Sequence, residues 1–297
     1  MKATPEVVLG IDIGGSHITL AMVDLDTKKI IEPSYHRIHV NSWADSDGLI
    51  ISWAEAIQGV CKEANIAVPR IGIAMPGPFD YENGISYIRG NNKYDSLYGL
   101  NIIQLLAQKL NIDAANIRML NDAAAFLRGE VFAGAGKNAD RVIGLTLGTG
   151  LGTAVYNNGI ARDGELWNSP FKDGIAEDYI STRWFVKRYF ELTGINILDV
   201  KALKEIAAES DAAKNVFKEF AHNLGLFIQI FTEAEHPDVI VLGGNITNAS
   251  PLFLSHLNKF LLQQNINVPV SISKLGENAA IMGAASCWQT EAEHQLV

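Results

Sequence analysis

Three glycine turns and two aspartates are the residues of this chain whose types and spacing could do chemistry. Gly14-Gly15, Gly148-Thr149-Gly150 and Gly243-Gly244 each close a short apolar run. Glycine lets the backbone approach a ligand closely and permits positive φ, so successive N–H groups can converge on an anion such as phosphate. One such turn is ordinary, but three after apolar strands point to phosphate handling. None has the GxxxxGKS spacing of a P-loop. The stretch from Gly10 to Gly15 lacks GxGxxG and leads into a strand, which argues against a dinucleotide fingerprint. Asp12 directly precedes the first turn. A carboxylate there either forms the turn or holds Mg²⁺, through water, beside phosphates. Asp122 follows Leu120-Asn121 where a strand gives way to a helix. It reads either as a helix cap or as a general base taking a proton from a hydroxyl nucleophile. Asn121 beside it could hydrogen-bond a polyol.

The elements that must position these residues follow from periodicity. Val7 to Ile13, then Gly14-Gly15-Ser16, then Ile18 to Asp24 read as strand, tight turn and strand. A third strand is expected from Ile30 to Val40. Apolar residues at helical spacing from Ile50 to Ala64 predict a helix, and Arg70 to Ala74 a strand stopped by Pro76-Gly77-Pro78. A helix from Ile102 to Leu110 precedes a strand over Ile117 to Leu120, and a helix begins at Ala123. The opening pattern then returns. At an offset of 134 positions, Val8, Gly10, Gly14 and Thr19 fall on Val142, Gly144, Gly148 and Thr153. The shared strand, glycine turn and strand suggest an internal duplication. A long helix at Val216 to Phe231, a strand ending in Gly243-Gly244, a helix near Leu252 to Leu262, a strand at Val268 to Ser273 and a final helix from Ala279 complete the pattern.

Composition bounds the rest. The chain has 297 residues, 48% of them hydrophobic, enough for two domains with cores of their own. A formal net charge of -9 argues against broad attraction to nucleic acid or to an anionic membrane. Cys61 and Cys287 lie far apart and form no CxxC pair, which fits a reducing cytoplasm and excludes a disulfide framework. No signal peptide is expected, and the most apolar stretch, Leu224 to Phe231, is far short of the roughly 20 residues of a membrane span.

With these residues in view, the chain resembles the ROK family of sugar kinases and repressors. Leu9-Gly10-Ile11-Asp12-Ile13-Gly14-Gly15-Ser16 looks like its first phosphate motif and Leu147 to Gly152 like its second. Leu120-Asn121-Asp122-Ala123 is similar to the motif with its catalytic aspartate, and Leu242-Gly243-Gly244 to its adenosine-side turn. Pro76-Gly77-Pro78 and Gly283-Ala284-Ala285 also fit. The resemblance implies an α/β, two-lobed actin/hexokinase-like (ribonuclease H-like) ATPase fold with an internal duplication. Its lobes are expected at 1–121, completed by 279–297, and at 122–278, with sugar and nucleotide meeting between them.

The resemblance also implies roles. Asp122 matches the general base and Asn121 a sugar-contacting asparagine. Glu165, in Gly164-Glu165-Leu166, matches the start of a GExGH sugar motif, and Glu177 a second sugar-contacting glutamate. Gly77 and Asn92 lie where a sugar loop passes. Asp12, Gly14, Gly15, Ser16, Gly148, Thr149, Gly150, Gly243 and Gly244 match the ATP side, with Mg²⁺ at Asp12 through water. One departure stands out: Asn168 replaces the motif's histidine, and Trp167, expected to pack rather than to stack on a sugar, replaces its glycine. The family's cysteine-rich zinc segment is missing, with Ser169 to Glu177 a shorter connection, so zinc is not expected. This connection resembles the polyphosphate glucokinase branch. The implied activity is phosphoryl transfer from ATP to a hexose hydroxyl, O6 of glucose or a relative, by a cytoplasmic homodimer. The alternatives are polyphosphate as donor, or a sugar-binding transcriptional regulator, for which the strand starting at Val7 leaves no room for a DNA-binding head.

Overall fold

The computed structural model describes residues 6–67, 70–90 and 93–289. They divide into two compact units. One takes the described residues up to Gly134 and those from Glu277 onward, and the other is Ala135–Gly276.

The first unit opens with β1 (Val7–Ile13) and β2 (His17–Asp24), an antiparallel hairpin whose closing pair is Ile13 and Ile18. The expected third strand is broken in two, β3 (Lys29–Ile30) and β4 (His36–His39), both paired to β2. Pro33 has no N–H to donate and sits at the start of a 3₁₀ turn, Glu32–Ser34. The buried Ser34 hydroxyl replaces a ladder bond, accepting from Met22 N at 2.8 Å and donating to Ile31 O at 2.6 Å. Helix α1 (Ser46–Glu63) starts at Asp45, whose carboxylate accepts from Gly48 N, and buries Ile50, Trp53, Ile57 and Val60. Then come β5 (Arg70–Met75), a small hairpin of β6 (Phe79–Asp80) and β7 (Ile85–Ser86), α2 (Ile102–Leu110), β8 (Ile117–Asn121) and α3 (Asp122–Ala133). The main sheet runs β3-β2-β1-β5-β8, with β1, β5 and β8 parallel.

The second unit repeats that plan. β9 (Arg141–Leu147) and β10 (Leu151–Asn157) form an antiparallel hairpin and β11 (Ile160–Asp163) pairs with β10. A two-residue-per-strand hairpin, β12 (Pro170–Phe171) and β13 (Gly174–Ile175), leads to the single turn α4 (Ala176–Tyr179). Helices α5 (Thr182–Thr193), α6 (Val200–Ile206) and α7 (Asp211–Glu235) follow. Then come β14 (Val239–Gly243), α8 (Ser250–Gln263) and β15 (Val270–Ile272). The sheet order is β11-β10-β9-β14-β15, again with the last three parallel. Sheet order and strand sense thus recur from unit to unit. One of the four sequence identities does not recur in space. Four residues separate Ile13 from Ile18, but only three separate the closing pair Leu147 and Leu151. Thr19 lies opposite Asp12, whereas Thr146, the counterpart of Asp12, lies opposite Gly152 rather than Thr153.

The two cores differ in texture. The first is aliphatic around Leu9, Ile11, Ile73 and Leu106, with Trp53 its largest ring. The second is aromatic: Phe185, Phe217, Phe220, Phe227 and Phe253 are all fully buried, and Phe185 and Phe220 lie 4.5 Å apart between ring centroids.

The final helix, α9 (Ala279–Ser286), packs against β1, β5 and α3 in the first unit. Glycine is required here for space. A Cβ on Gly72 would collide with the backbone of Ala284, and one on Gly283 with the Ala125 carbonyl. The sequence reading draws its boundary at 121/122; α3 instead groups with the first unit, because it meets α9 backbone to backbone. Among the described residues no helix is long and apolar enough to cross a membrane.

Candidate functional site

In the first unit the carboxyl ends of β1, β5 and β8 lie side by side. Asp12 is in register with Ala74, and Met75 with Asn121. Open parallel α/β sheets bind their ligands beyond such strand ends. Asp12, Gly77 and the Asn121-Asp122 pair therefore share one edge of the unit, with the Gly14-Gly15-Ser16 turn beside them. Asn92 lies outside the described residues.

Asn121 is a helix cap. Its buried side-chain oxygen accepts from Ala123 N at 2.9 Å and from Ala124 N at 3.1 Å, and its amide donates to the Tyr81 hydroxyl at 3.3 Å. Tyr81 in turn donates to Met75 O at 2.9 Å, tying the loop that follows Gly77 to the end of β5. Asp122 stands at the first position of α3 with its side chain exposed, one carboxylate oxygen accepting from Ala123 N at 2.8 Å. The cap of α3 is thus Asn121 and not Asp122, which lies one position into the helix and presents its carboxylate to solvent.

Asp12 is electrostatically frustrated. Burial first, then the charges of Asp122 and Glu277, with Arg37 opposing them, push its carboxyl up to about 7. Arg37 is itself paired with Glu277 at 2.9 Å. The hydroxyl of Tyr94 donates to Gly14 O at 2.6 Å, and burial, with the Asp12 charge, pushes this phenol up to about 12. Ser16 Oγ lies 2.9 Å from His17 Nδ1. An excess of carboxylate over cation at one strand end suits a divalent cation. Among the described residues no three acidic, histidine or cysteine side chains form a metal-binding group. Of the divalent cations, Mg²⁺ is the one that is commonly held by one or two carboxylates and keeps its waters.

In the second unit the carboxyl ends of β9 and β14 are also neighbours, with Gly243 opposite Thr146. Gly244 has φ +84°, and a Cβ there would strike the backbone of Leu147, so this turn needs glycine on both counts. The Gly148-Thr149-Gly150 turn is closed by Gly148 N donating to Gly150 O at 3.0 Å. Neither Gly14, Gly15, Gly148 nor Gly150 has positive φ. At Gly150 the need is for room, since a Cβ would overlap the Glu177 carboxylate that Leu151 N holds, whereas at Gly15 it would meet the flexible end of Lys93.

Glu177 belongs to this turn. Its carboxylate accepts from Leu151 N at 2.9 Å and pairs with Arg183; its side chain is 18% exposed against 63% for the arginine. Glu177 N donates to Trp167 O at 2.9 Å, which draws the Glu165–Asn168 stretch alongside. Glu165 adopts φ +53°, its N–H held by the Asp163 carboxylate at 2.8 Å, and both Glu165 and Asn168 are exposed. Burial raises the Asp163 carboxyl. Trp167 does not pack as expected. It is 45% exposed, because the β12–β13 hairpin places Phe171, not Trp167, in the aromatic core.

The sequence reading missed Arg37, Lys93, Tyr94, Glu277 and Arg183. Each reaches its site from a distant or unread segment, and no local spacing marks it.

The family model described as "ROK family" matches residues 8–169 and 172–291. A glucokinase of Thermotoga maritima is 28% identical over 94% of this chain and 96% of its own length. An N-acetyl-D-glucosamine kinase of Mannheimia succiniciproducens is 26% identical over 96% of this chain and all of its own. The xylose repressor of Bacillus subtilis is 23% identical over 94% of this chain and 76% of its own. Among solved structures, a ROK family glucokinase from Streptomyces griseus in complex with glucose and AMPPNP superposes with a TM-score of 0.74. It is 22% identical, and the match covers 95% of this chain and 98% of that one.

Proposed function

The chain belongs to the ROK family, and on that premise we propose that it is a carbohydrate kinase moving the γ-phosphoryl group of ATP to a hexose hydroxyl. The observation that carries this reading is the Asp12–Asp122 pair. An exposed carboxylate at the start of α3 stands within electrostatic reach of a second one at the foot of a glycine turn. A regulator that only binds sugar has no need of two mutually repelling carboxylates beside a phosphate-type turn. The glucokinase and N-acetylglucosamine kinase relatives support the same class.

In the proposed reaction Asp122 accepts the proton of the attacking hydroxyl as its oxygen bonds to the γ-phosphorus. The bond from phosphorus to the β-phosphate oxygen breaks, and ADP leaves. Asn121, with its capping role already fixed, lends a rigid amide. Gly77, Glu165, Asn168 and Glu177 contact the sugar. The N–H groups of Gly14, Gly15, Ser16, Gly148, Thr149 and Gly150 hold phosphates, and Gly243-Gly244 borders the adenosine. Asp12 would hold Mg²⁺ through water, which neutralises phosphate charge when bound. Holding these groups before reaction is the main source of rate in phosphoryl transfer.

A coupled assay over a panel of hexoses, N-acetylated ones included, with ATP or polyphosphate as donor, tests the reading. Turnover with ATP on at least one hexose is expected. No turnover with either donor on any sugar would leave a sugar-binding regulator as the better account. Turnover with polyphosphate alone would replace the donor and keep the chemistry.

A further inference from the structure

Lys93 is the cation of the first glycine turn. Its side chain lies across Gly15, so that a Cβ there would stand 2.5 Å from its Nζ and in tight contact with its Cδ and Cε. The bare backbone at Gly15 leaves room for the end of the lysine to rest there. Gly15 does not have the positive φ that would otherwise explain a glycine. Lysine ordinarily extends its ammonium into water, where it is best hydrated and loses least rotamer freedom. This one is exposed yet folded back on a backbone turn, with no ion-pair partner among the described residues.

The next residue shows what holds it there. Tyr94 is buried, donates its hydroxyl to Gly14 O at 2.6 Å and its N–H to Ser42 O at 2.8 Å, and packs edge-on against Trp53. It does so with φ +61°, a left-handed conformation that a bulky residue adopts only when its surroundings force it. Such local strain concentrates where a fold holds a neighbouring group in place for use. Here the neighbour is Lys93, clamped to the turn through Tyr94.

The charges around it indicate what it is for. Asp12, Asp122 and Glu277 make this strand end acidic, and Arg37 is spent on Glu277. A phosphate approaching the N–H groups of Gly15 and Ser16 meets repulsion from the carboxylates unless a cation offsets it. We propose that Lys93 binds the terminal phosphates of the phosphoryl donor and sets the affinity of the first glycine turn for polyanions. This rests on the kinase reading above. The chemistry it recognises, a chain of linked phosphates, is common to ATP and to inorganic polyphosphate.

Titration calorimetry on the full chain, without sugar, separates the possibilities, using ATP and tripolyphosphate as probes and the Lys93→Met and Lys93→Arg variants. A charge-assisted contact of this kind corresponds to roughly ten- to a hundred-fold in affinity. Lys93→Met is expected to weaken ATP binding by that factor and Lys93→Arg to recover most of it, with melting temperatures of all three proteins alike. Loss on ATP alone assigns the contact to a nucleotide donor, and loss on both probes to any linked phosphate. If wild type binds ATP or tripolyphosphate and Lys93→Met binds it equally well, or Lys93→Arg is as weak as Lys93→Met, the inference falls and the kinase reading stands. If wild type binds neither probe, the kinase reading falls and takes the inference with it.

Discussion

Replacing Asp12 by Asn should make the metal-free protein more stable at alkaline pH, while removing the function that the carboxylate serves. Burial and the charges of Asp122 and Glu277 hold this carboxyl at about 7, against an ordinary value of 3.8. The folded protein therefore binds this proton more tightly than the unfolded chain does. Stability from this group is fully present below pH 4 and is lost as pH rises from about 4 to about 7, above which the loss is constant. A shift of about 3 units corresponds to roughly 4 kcal/mol. Asp12 keeps some contact with solvent, so screening roughly halves that, to about 2 kcal/mol. Asn is close in shape and has no charge to desolvate. The assay is a thermal melt of both proteins in excess EDTA at pH 5 and pH 8. At 2–4 °C per kcal/mol for a protein of this size, the advantage of Asp12→Asn should be several degrees larger at pH 8 than at pH 5. Millimolar Mg²⁺ should raise wild type toward the variant at pH 8. A difference in melting temperature that does not change with pH would refute the reasoning, because it would mean that Asp12 is not a buried charge at all.

Three other outcomes follow from the same geometry. Asp122→Asn should lower kcat by about 100-fold or more, the range for loss of a general base, with the KM for ATP little changed; steady-state kinetics on the active hexose would show this. Gly283→Val should prevent α9 from seating, since even a Cβ there meets the Ala125 carbonyl; loss of the soluble, cooperatively melting protein is the expected readout, while Gly59→Ala, within α1 and with open space around its Cβ, should still yield it. Phe220→Ala removes a fully buried ring that contacts Phe185 and Phe253, and chemical denaturation should show a loss of about 3–5 kcal/mol.

The hairpins β1–β2 and β9–β10 are legible in the sequence because β-branched runs bracket their glycines, and two such signals at a fixed spacing reveal the duplication. What the spacing could not show is that the second turn is one residue shorter, which moves Thr153 off the position of Thr19. The break at Pro33 was readable from its missing N–H, yet the apolar pattern from Ile30 to Val40 masked it. Helices α5 and α6 went unread because Thr182 to Ile206 follows a motif stretch and carries its apolar residues between many charges. Asp12 and Asp122 stand out by motif. Their mutual repulsion does not, since it arises when residues 110 positions apart are folded back to one sheet edge, and neither do Arg37, Lys93 and Tyr94, whose roles exist only in three dimensions.

The glycine-lined bed for α9 has a consequence for the order in which the protein can be built. Gly10 and Gly72 leave a groove on β1 and β5 that only residues 279–286 fill. A ribosome makes those residues only after the whole of the second unit. The second unit, Ala135–Gly276, is continuous in the chain and can fold as soon as it has emerged, while the earlier-made first unit stays open along one face until residues 279–286 have been added. The half that is synthesised first is therefore the half that matures last, and a nascent chain stalled before residue 279 would display an unfilled apolar seam for chaperones or proteases to find.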